Sequence, residues 1–224
     1  MRKIAAFAGL GIAAALVLTG CSTPAADTTD DADTSEETMA VDTVNSDGSG
    51  LRSAIQAALY DHVYLAGAAI DQALQDGGDL TAPNTAAAVQ ALDDNSVAVA
   101  ALIGSVYPDA EQPFLDSWRS HIPFFVEYTL GKVTSDQARI DAAVAGLGEY
   151  AVSFGQLINS VVPELPAEAV QGELEMHATS LLAAIDADIA GDPAYFGLLQ
   201  EAASHMQMTS TALAGGIAAN KGIE

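Results

Sequence analysis

The chain has 224 residues, of which half are hydrophobic, and it carries 30 acidic but only seven basic side chains, a formal charge of −23. So negative a chain repels phosphate backbones and anionic lipid headgroups. This argues against nucleic acid as a partner and against binding to a membrane surface through charge. The single cysteine excludes an internal disulfide.

The first twenty residues have the pattern of a bacterial secretion signal. Arg2 and Lys3 precede an apolar run from 4 to 18 that is too short for a comfortable membrane span. The run ends in Leu18-Thr19-Gly20-Cys21, which resembles the lipobox of bacterial lipoproteins. The resemblance implies cleavage before Cys21, a lipid such as palmitate on the Cys21 sulfur, and anchoring at the extracytoplasmic face of the cell membrane. Cleavage would remove two of the seven basic residues and no acidic one, leaving a formal charge of −25.

Residues 21–48 read as a tether. Residues 22–48 hold eight acids, no Lys or Arg, and almost no apolar side chains that could be buried. This composition predicts disorder, and repulsion between like charges should extend the segment. A folded domain is expected from residue 49 to residue 224.

The domain is predicted to be all-α, because Ala, Leu, Val and Ile dominate and strand-type alternation is scarce. Apolar periodicity and turn residues predict six helices, at about 51–75, 84–106, 112–130, 135–162, 167–190 and 193–215. Short connections between long helices favour an antiparallel bundle, ferritin-like or a related up-and-down bundle. Ser135 is the expected N-cap of the fourth helix, and Pro193 should begin the sixth. Pro123 should bend the third helix just past His121.

Histidine recurs along this pattern. His62, His121 and His177 are 59 and 56 residues apart, and each follows an apolar stripe residue by three positions. This spacing suggests three tandem helical hairpins with a histidine in the first helix of each. Aligning the second helices gives three equivalent positions, which are occupied by Asp94, Glu149 and His205. Their small apolar neighbours predict a polar interior, where an ionised carboxylate is costly unless it is paired or ligating.

Methionine accompanies histidine in the C-terminal half of the chain. Three of the five methionines lie within three residues of a histidine, namely Met176, Met206 and Met208. Imidazole together with thioether suits copper, and Cu(I) in particular. Methionine at helical spacing also fills ordinary cores, so the pattern alone leaves both interpretations open.

A first copper site can be placed on the last two helices. His177 and His205 each lie about 14 residues from the turn near Asp192, so they should come level on antiparallel helices. Met208 shares a helical face with His205, three residues away. The predicted ligands are therefore His177, His205 and Met208, with Met206 and Met176 about 100° away around their helices. His62 and His121 are expected to form a second site or to support the first.

Two other interpretations of the same residues remain. His62, His121, His177 and His205 could join Asp94 and Glu149 around one polar core that holds iron, manganese or zinc, although the Glu-x-x-His pattern of ferritin-like di-iron proteins is missing. Alternatively, the histidines pack in the bundle and bind nothing. Hydrogen-bond partners are then available in Tyr60, Asp61, Tyr128 and Tyr150.

The sequence favours a binding protein over an enzyme. It has no Gly-x-Ser-x-Gly, cysteine nucleophile with a supporting motif, His-Glu-x-x-His, P-loop or dinucleotide fingerprint. The lack of Cys-x-x-Cys-His excludes covalently attached haem of the c type. A non-covalent haem needs a wider aromatic slot than 13 aromatic residues suggest, so haem is the weakest cofactor hypothesis.

Four strings in the domain are similar to a group of uncharacterised bacterial extracytoplasmic helical proteins, some of them associated with copper proteins. They are Asp94-Asn95-Ser96-Val97, Ile103-Gly104-Ser105-Val106-Tyr107, Trp118-Arg119-Ser120-His121-Ile122 and His205-Met206-Gln207-Met208. The resemblance covers most of residues 51–220 and favours copper. The sequence thus predicts a membrane-anchored, extracytoplasmic, copper-binding lipoprotein. The alternative is a non-catalytic cell-surface interaction lipoprotein whose histidines form a packing network.

Overall fold

The computed structural model describes residues 44–224, so the predicted signal sequence, Cys21 and the tether up to residue 43 lie outside the described residues. Within residues 44–224 the protein is a bundle of seven α-helices and one 3₁₀ turn, without strands. This confirms the predicted all-α class. The elements are α1 Asp47–Gln75, α2 Pro83–Val106, the 3₁₀ turn Pro108–Ala110, α3 Glu111–Arg119, α4 Ile122–Thr134, α5 Gln137–Val161, α6 Ala167–Ile189 and α7 Tyr195–Lys221.

Local chemistry explains where the first helix begins and ends. The hydroxyl of Ser46 accepts a hydrogen bond from the backbone N–H of Ser49 at 3.3 Å, which satisfies one of the donors exposed at the start of α1. After Gln75 the chain turns through Gly77 and Gly78, whose φ angles are +66° and +87°. Residues with a Cβ rarely adopt such angles, so the glycine pair ends the helix where the sequence predicts.

Three predicted helix starts are displaced, the first being that of α1, which begins at Asp47 and not near residue 51, so the last two residues of the predicted tether are helical. Ser135 does not cap α5, because it adopts a left-handed conformation with φ of 56° that closes α4. The cap is Asp136, whose carboxylate accepts from the backbone N–H of Arg139 at 3.1 Å. The last helix begins at Tyr195 rather than Pro193, and it continues through two glycines to Lys221.

The predicted third helix is two helices, and the break falls between Arg119 and Ile122. Pro123 lacks the N–H that would bond to the Arg119 carbonyl, and its ring crowds that carbonyl. The chain tightens instead into a 3₁₀-type turn, in which the Ser120 N–H donates to the Ser117 carbonyl at 3.0 Å. His121 lies in this break and is buried.

The helices pack as neighbours in sequence. The pairs α1/α2, α4/α5 and α6/α7 each pack together, as the hairpin prediction requires. Helix α1 also packs on α7, α5 packs on α6, and α3 packs on α2. These contacts bury one apolar core to which every helix contributes, and burying each Leu, Val or Ile fully contributes about 1.5–3 kcal/mol.

Helix α2 is, among residues 44–224, the one helix long and apolar enough to cross a membrane, judged by length and composition alone. Leu92, Val99 and Ile103 on this helix are buried in the bundle. Core helices pass the same test, so α2 carries little weight as a membrane segment.

Candidate metal centre

Three of the four histidines meet in the bundle core. His62 comes from α1, His121 from the break between α3 and α4, and His177 from α6; their exposed fractions are 4%, 7% and 9%. All three line one cavity of about 20 Å³, which has room for about one water molecule or one ion. The rest of the lining is Trp118, Phe125, Leu147, Tyr150, Leu174 and Ala178. We call His62, His121 and His177 the histidine cluster.

His62 and His121 are the closest pair in the histidine cluster. Their Nε2 atoms are 3.4 Å apart, and their ring centroids are 5.5 Å apart. This separation is long for a hydrogen bond from N–H, which is usually about 2.7–3.2 Å. Two nitrogens that bind one ion at about 2.0–2.1 Å with a tetrahedral angle lie about 3.3–3.4 Å apart. The pair therefore stands at the spacing of two ligands of one metal ion.

Asn95 on α2 fixes the tautomer of His62. Its amide Nδ2 donates to the Ala58 carbonyl at 3.0 Å, so its Oδ1 faces His62 Nδ1 at 3.1 Å. Because an amide oxygen only accepts, Nδ1 of a neutral His62 carries the proton. The Nε2 lone pair of His62 is then directed toward His121, where it can accept a proton or a metal ion.

Burial keeps the histidine cluster neutral. It lowers the pKa of His62 to about 4, against an opposing hydrogen bond with Asn95, and it lowers the pKa of His177 to about 4. Burial, reinforced by the charges of His62 and His177, holds the pKa of His121 well below its usual range. Neutral imidazoles have free lone pairs at physiological pH, which is the state that a metal ion requires.

Several polar atoms around the cavity have no hydrogen-bond partner. They are Trp118 Nε1, His121 Nδ1, Tyr150 Oη and His177 Nδ1. The Tyr150 ring packs on the His121 ring with centroids 4.9 Å apart, and burial raises the pKa of Tyr150 well above its usual range. Each unpaired buried group costs about 1–3 kcal/mol, so the centre has more hydrogen-bonding capacity than the protein satisfies.

A complete ligand set is not assembled. Within residues 44–224, no group of three or more His, Cys, Asp or Glu side chains is arranged so that it could hold a metal ion. His62 and His121 stand at ligand spacing, whereas His177 lines the same cavity without completing a set. A third ligand would require reorientation of the His177 side chain or a water molecule.

The C-terminal ligand set predicted from the sequence is spread over different environments. His205 on α7 is half-buried beside a surface groove, close enough that its charge lowers the pKa of His177 further. Met206 is buried in the core at 2% exposure. Met208 and Met176 are 49% and 44% exposed. None of the three methionines lines the cavity of the histidine cluster.

The two carboxylates of the predicted repeat also lie elsewhere. Asp94 is exposed and accepts a hydrogen bond from Gln90 on its own helix at 2.8 Å, and Glu149 is exposed on α5. This corrects the expectation that both carboxylates face a polar interior. Their neighbours Val97 and Val152 are also exposed, at 42% and 40%, so small apolar neighbours marked an outer face here.

Three residues of the centre were not predicted from the sequence to lie beside a metal site, although Tyr150 was among the expected hydrogen-bond partners of packed histidines; its Oη has no such partner. Asn95 follows Asp94 by one residue, which turns it about 100° around α2 toward His62. Tyr150 follows Glu149 in the same way on α5 and packs on His121. Trp118 precedes His121 by three and packs on both His62 and His121, with centroids 4.9 and 5.0 Å away. Shifting the repeat alignment by one residue on α2 and α5 would have selected Asn95 and Tyr150 from the sequence.

No protein-family model, curated protein or solved structure matches this chain. The function is therefore inferred from the chemistry of the histidine cluster.

Proposed function

We propose that the bundle binds one metal ion, copper first, between His62 and His121, with His177 as the third ligand. The observation that carries the proposal is the 3.4 Å separation of two Nε2 atoms in a buried cavity large enough for one ion. Metal sites in helical bundles are built in this way, from side chains of facing helices at one level. The ion's charge would be held by neutral nitrogen ligands alone.

Charge favours Cu(I) among the metals that imidazole binds. Imidazole suits zinc, copper, iron and nickel, and no carboxylate lines the cavity to compensate a dication. The cost of burying an ion rises with the square of its charge, so a monovalent ion pays about a quarter of the desolvation cost of a divalent one. Iron, manganese and zinc rank lower for this reason, and haem has no slot in a cavity of about 20 Å³.

The surroundings of the two closest ligands suit a bound ion. Asn95 already accepts from His62 Nδ1, which is the outer hydrogen bond that orients a ligating histidine. On metal binding, the proton of His121 would move from Nε2 to Nδ1. His121 Nδ1 is buried and has no hydrogen-bond partner in the protein, so this proton would need a water molecule or a small rotation of the ring to reach an acceptor.

A packing network is the second candidate function of the histidine cluster. It is favoured by the incomplete ligand set and by the direct approach of His62 and His121, which permits a long N–H to N hydrogen bond. In that case the histidines specify packing, and the lipoprotein acts through a protein partner instead.

Metal loading separates the two candidates. The metal-free protein is incubated in turn with Cu(I), Cu(II), Zn(II), Fe(II) and Mn(II), then desalted, and the metal is counted per chain. The proposal predicts one retained copper, bound more tightly than zinc against a shared chelator. Retention of no metal under any of these conditions would support the packing network.

The proposed location is the extracytoplasmic face of the cell membrane, through a lipid on Cys21. It rests on the lipobox-like string Leu18-Thr19-Gly20-Cys21. Replacing Cys21 with Ser should release the protein from the membrane fraction and abolish labelling by palmitate. Unchanged fractionation of Cys21→Ser would contradict the anchor while leaving the metal proposal standing.

A further inference from the structure

A second cavity, of about 120 Å³, lies beside the histidine cluster and has a different chemistry. Its inner lining is buried and apolar: Leu59, Val99, Phe114, Trp118, Phe154, Ile158, Leu165 and Leu174. Its outer lining lies on α6 and α7, where Ala169 and Ala212 are exposed. The cavity therefore runs from a mouth between these two helices into the core. An engineered apolar cavity of about 150 Å³ in another protein stays dry and binds benzene.

Three aromatic rings form the inner end of this cavity. Phe114 and Trp118 stack with centroids 5.6 Å apart and an interplanar angle of 14°. Phe154 meets Phe114 edge to face, with centroids 5.4 Å apart. These rings present faces and edges to a small apolar body, which gains the transfer free energy of about 25 cal/mol for each Å² that it buries.

One carboxylate stands at the mouth of this apolar space. Among the lining residues only Glu173 and Thr209 carry polar side chains apart from the indole of Trp118, and the Thr209 hydroxyl donates to the His205 carbonyl on its own helix. Glu173 Oε2 is buried and has no hydrogen-bond partner. A buried carboxylate oxygen without a donor is costly, so the mouth lacks a hydrogen-bond donor or a cation.

Four of the five basic side chains within residues 44–224 are engaged elsewhere, and the fifth, Arg52, is exposed on α1 and does not line the cavity. None of the ion pairs within residues 44–224 involves Glu173. Arg119, Lys132 and Arg139 pair with Asp93, Asp186 and Glu127, and Lys221 lies over the Tyr107 ring. The missing partner of Glu173 is thus best supplied from outside, and the strongly negative chain attracts cations toward it.

We propose that this cavity binds a small hydrophobic amine, with its apolar body against Phe114 and Trp118 and its ammonium donating to Glu173 Oε2. The apolar depth, the aromatic inner end and the single unpartnered carboxylate at the mouth match the two ends of such a molecule. The site does not require the metal. It does share Trp118 and Leu174 with the lining of the histidine cluster, so the amine lies one side chain from the proposed ion.

The chain contains its own reporter, because Trp118 is its only tryptophan and lines the cavity. Metal-free full-length protein is titrated with benzylamine and with the smaller n-butylamine, and Trp118 fluorescence and binding heat are recorded. Toluene is the uncharged control for benzylamine. The proposal predicts saturable binding of at least one amine, at one site per chain, and at least tenfold tighter binding of benzylamine than of toluene if the larger body fits.

Three variants locate the site. Glu173→Gln should weaken amine binding at least tenfold without weakening toluene, whereas Glu175→Gln, an exposed residue on the same helix outside the cavity, should leave both unchanged. Ala212→Phe at the exposed mouth should block all probes. Helical content is measured for each variant, and Glu173→Gln decides the matter if Ala212→Phe does not fold. Binding of neither amine to the wild-type protein, or equal amine affinity in Glu173→Gln, would overturn the proposal.

Discussion

The histidine cluster in the core and the stretch from His205 to Met208 on α7 contain similar residues in opposite environments. On α1, His62 lies among Ile55, Leu59 and Val63, all at or below 2% exposure, so its ring points inward with the apolar stripe. On α7 the inward positions are taken by Ala202, Ala203 and Met206, at or below 2% exposure. His205 is therefore half-buried at the edge of the stripe, and Met208 is 49% exposed.

This difference shows that a side chain's position around its helix decides whether it can act as a ligand in the core. Which residue types lie near it in the sequence matters less. Residues one and two positions from a buried Met206 are turned about 100° and 200° around the helix, away from the core. His62, His121 and His177 come from distant parts of the chain, yet they line one cavity, because His62 and His177 lie on the buried faces of α1 and α6 and His121 is buried in the break between α3 and α4. Proximity in sequence groups His205 with Met206 and Met208, which lie in different environments, whereas His62, His121 and His177 line one cavity.

The most direct test of this difference removes the candidate ligands from each region in turn and measures copper affinity. His121→Phe keeps an aromatic ring in the buried position and removes the nitrogen 3.4 Å from His62, so copper affinity should fall more than 1,000-fold, or about 4 kcal/mol. The measurement is competition with a Cu(I) chelator. The matched control is the double variant His205→Phe with Met208→Leu, which should change affinity less than threefold. A large loss in the control with none in His121→Phe would return the site to α7.

In the metal-free protein, the fall in unfolding free energy at acid pH distinguishes the buried histidines from the half-buried His205. An unfolded histidine titrates near 6.5, whereas burial lowers the pKa of His62 and His177 to about 4, so between these values the unfolded chain binds more protons. The free energy of unfolding should therefore be highest above about pH 6.5. It should fall by on the order of 3 kcal/mol for each of these two histidines as the pH drops to about 4. Urea unfolding at several pH values measures it.

A variant assigns this pH dependence to the core. His177→Phe should flatten the fall in unfolding free energy between neutral and acid pH, because the buried titrating ring is gone. His205→Phe should change the profile less than His177→Phe does, because the charge of His205 adds only a smaller effect to the burial that lowers the pKa of His177. Identical profiles for wild type and His177→Phe would assign the acid sensitivity to other groups.

Asn95 tests the surroundings of the buried ligands. Asn95→Ala removes the acceptor that holds the proton on His62 Nδ1, and loss of such an outer hydrogen bond costs about 10–100-fold in metal affinity. Asp94→Asn is the neighbouring control, because Asp94 is exposed and bonds only to Gln90. Equal copper affinity in Asn95→Ala and the wild type would remove Asn95 from the site.

A pair of glycines on α5 tests the packing around the centre. A Cβ added at Gly146 would collide with the Phe124 ring, so Gly146→Ala should lower the free energy of unfolding by about 1–3 kcal/mol. Gly148 has nothing within 4 Å of such a Cβ, so Gly148→Ala should raise stability by about 0.5–1 kcal/mol. Thermal unfolding compares them. Opposite signs are expected, and equal shifts would contradict the close approach of α4 to α5.

The smallest effect is expected at the surface end of α3. Arg119 donates to Asp93 through Nε and a terminal nitrogen, at 2.7 and 2.8 Å, and both side chains are more than a third exposed. Exposed pairs contribute about 0.2–1 kcal/mol, so Asp93→Asn should cost less than 1 kcal/mol in urea unfolding. A cost of several kcal/mol would mean that this pair positions Trp118 and His121 next to it.

The all-α class, the helix order and most helix ends followed from local chemistry. Glycine pairs, Pro166 and apolar periodicity act within a few residues and can be seen in the sequence. The break at His121 was also predicted from Pro123, although it falls one or two residues earlier than expected because the clash is with the carbonyl of Arg119. The three recurring histidines, His62, His121 and His177, line one cavity, although His121 lies in the break between α3 and α4 and not within the first helix of its hairpin.

The partners of the histidine cluster did not follow from the sequence. Helices rich in alanine, such as α2, α5 and α7, hide which face is buried, since alanine is common on both faces. The alignment of second helices was therefore one residue out of phase, and Asp94 and Glu149 stood in for Asn95 and Tyr150. The second cavity depends on how six helices pack together, which the periodicity within one helix does not reveal.

X-ray absorption spectroscopy of copper-loaded protein tests the histidine cluster most directly, because it counts nitrogen and sulfur neighbours of the metal. One Cu(I) per chain with two or three imidazole nitrogens and no sulfur is the expected result. It would place the ion between His62 and His121, with His177 as the third ligand. Sulfur in the coordination shell would move the site to the methionines of α6 and α7. Failure to retain copper would make the histidine cluster a packing network.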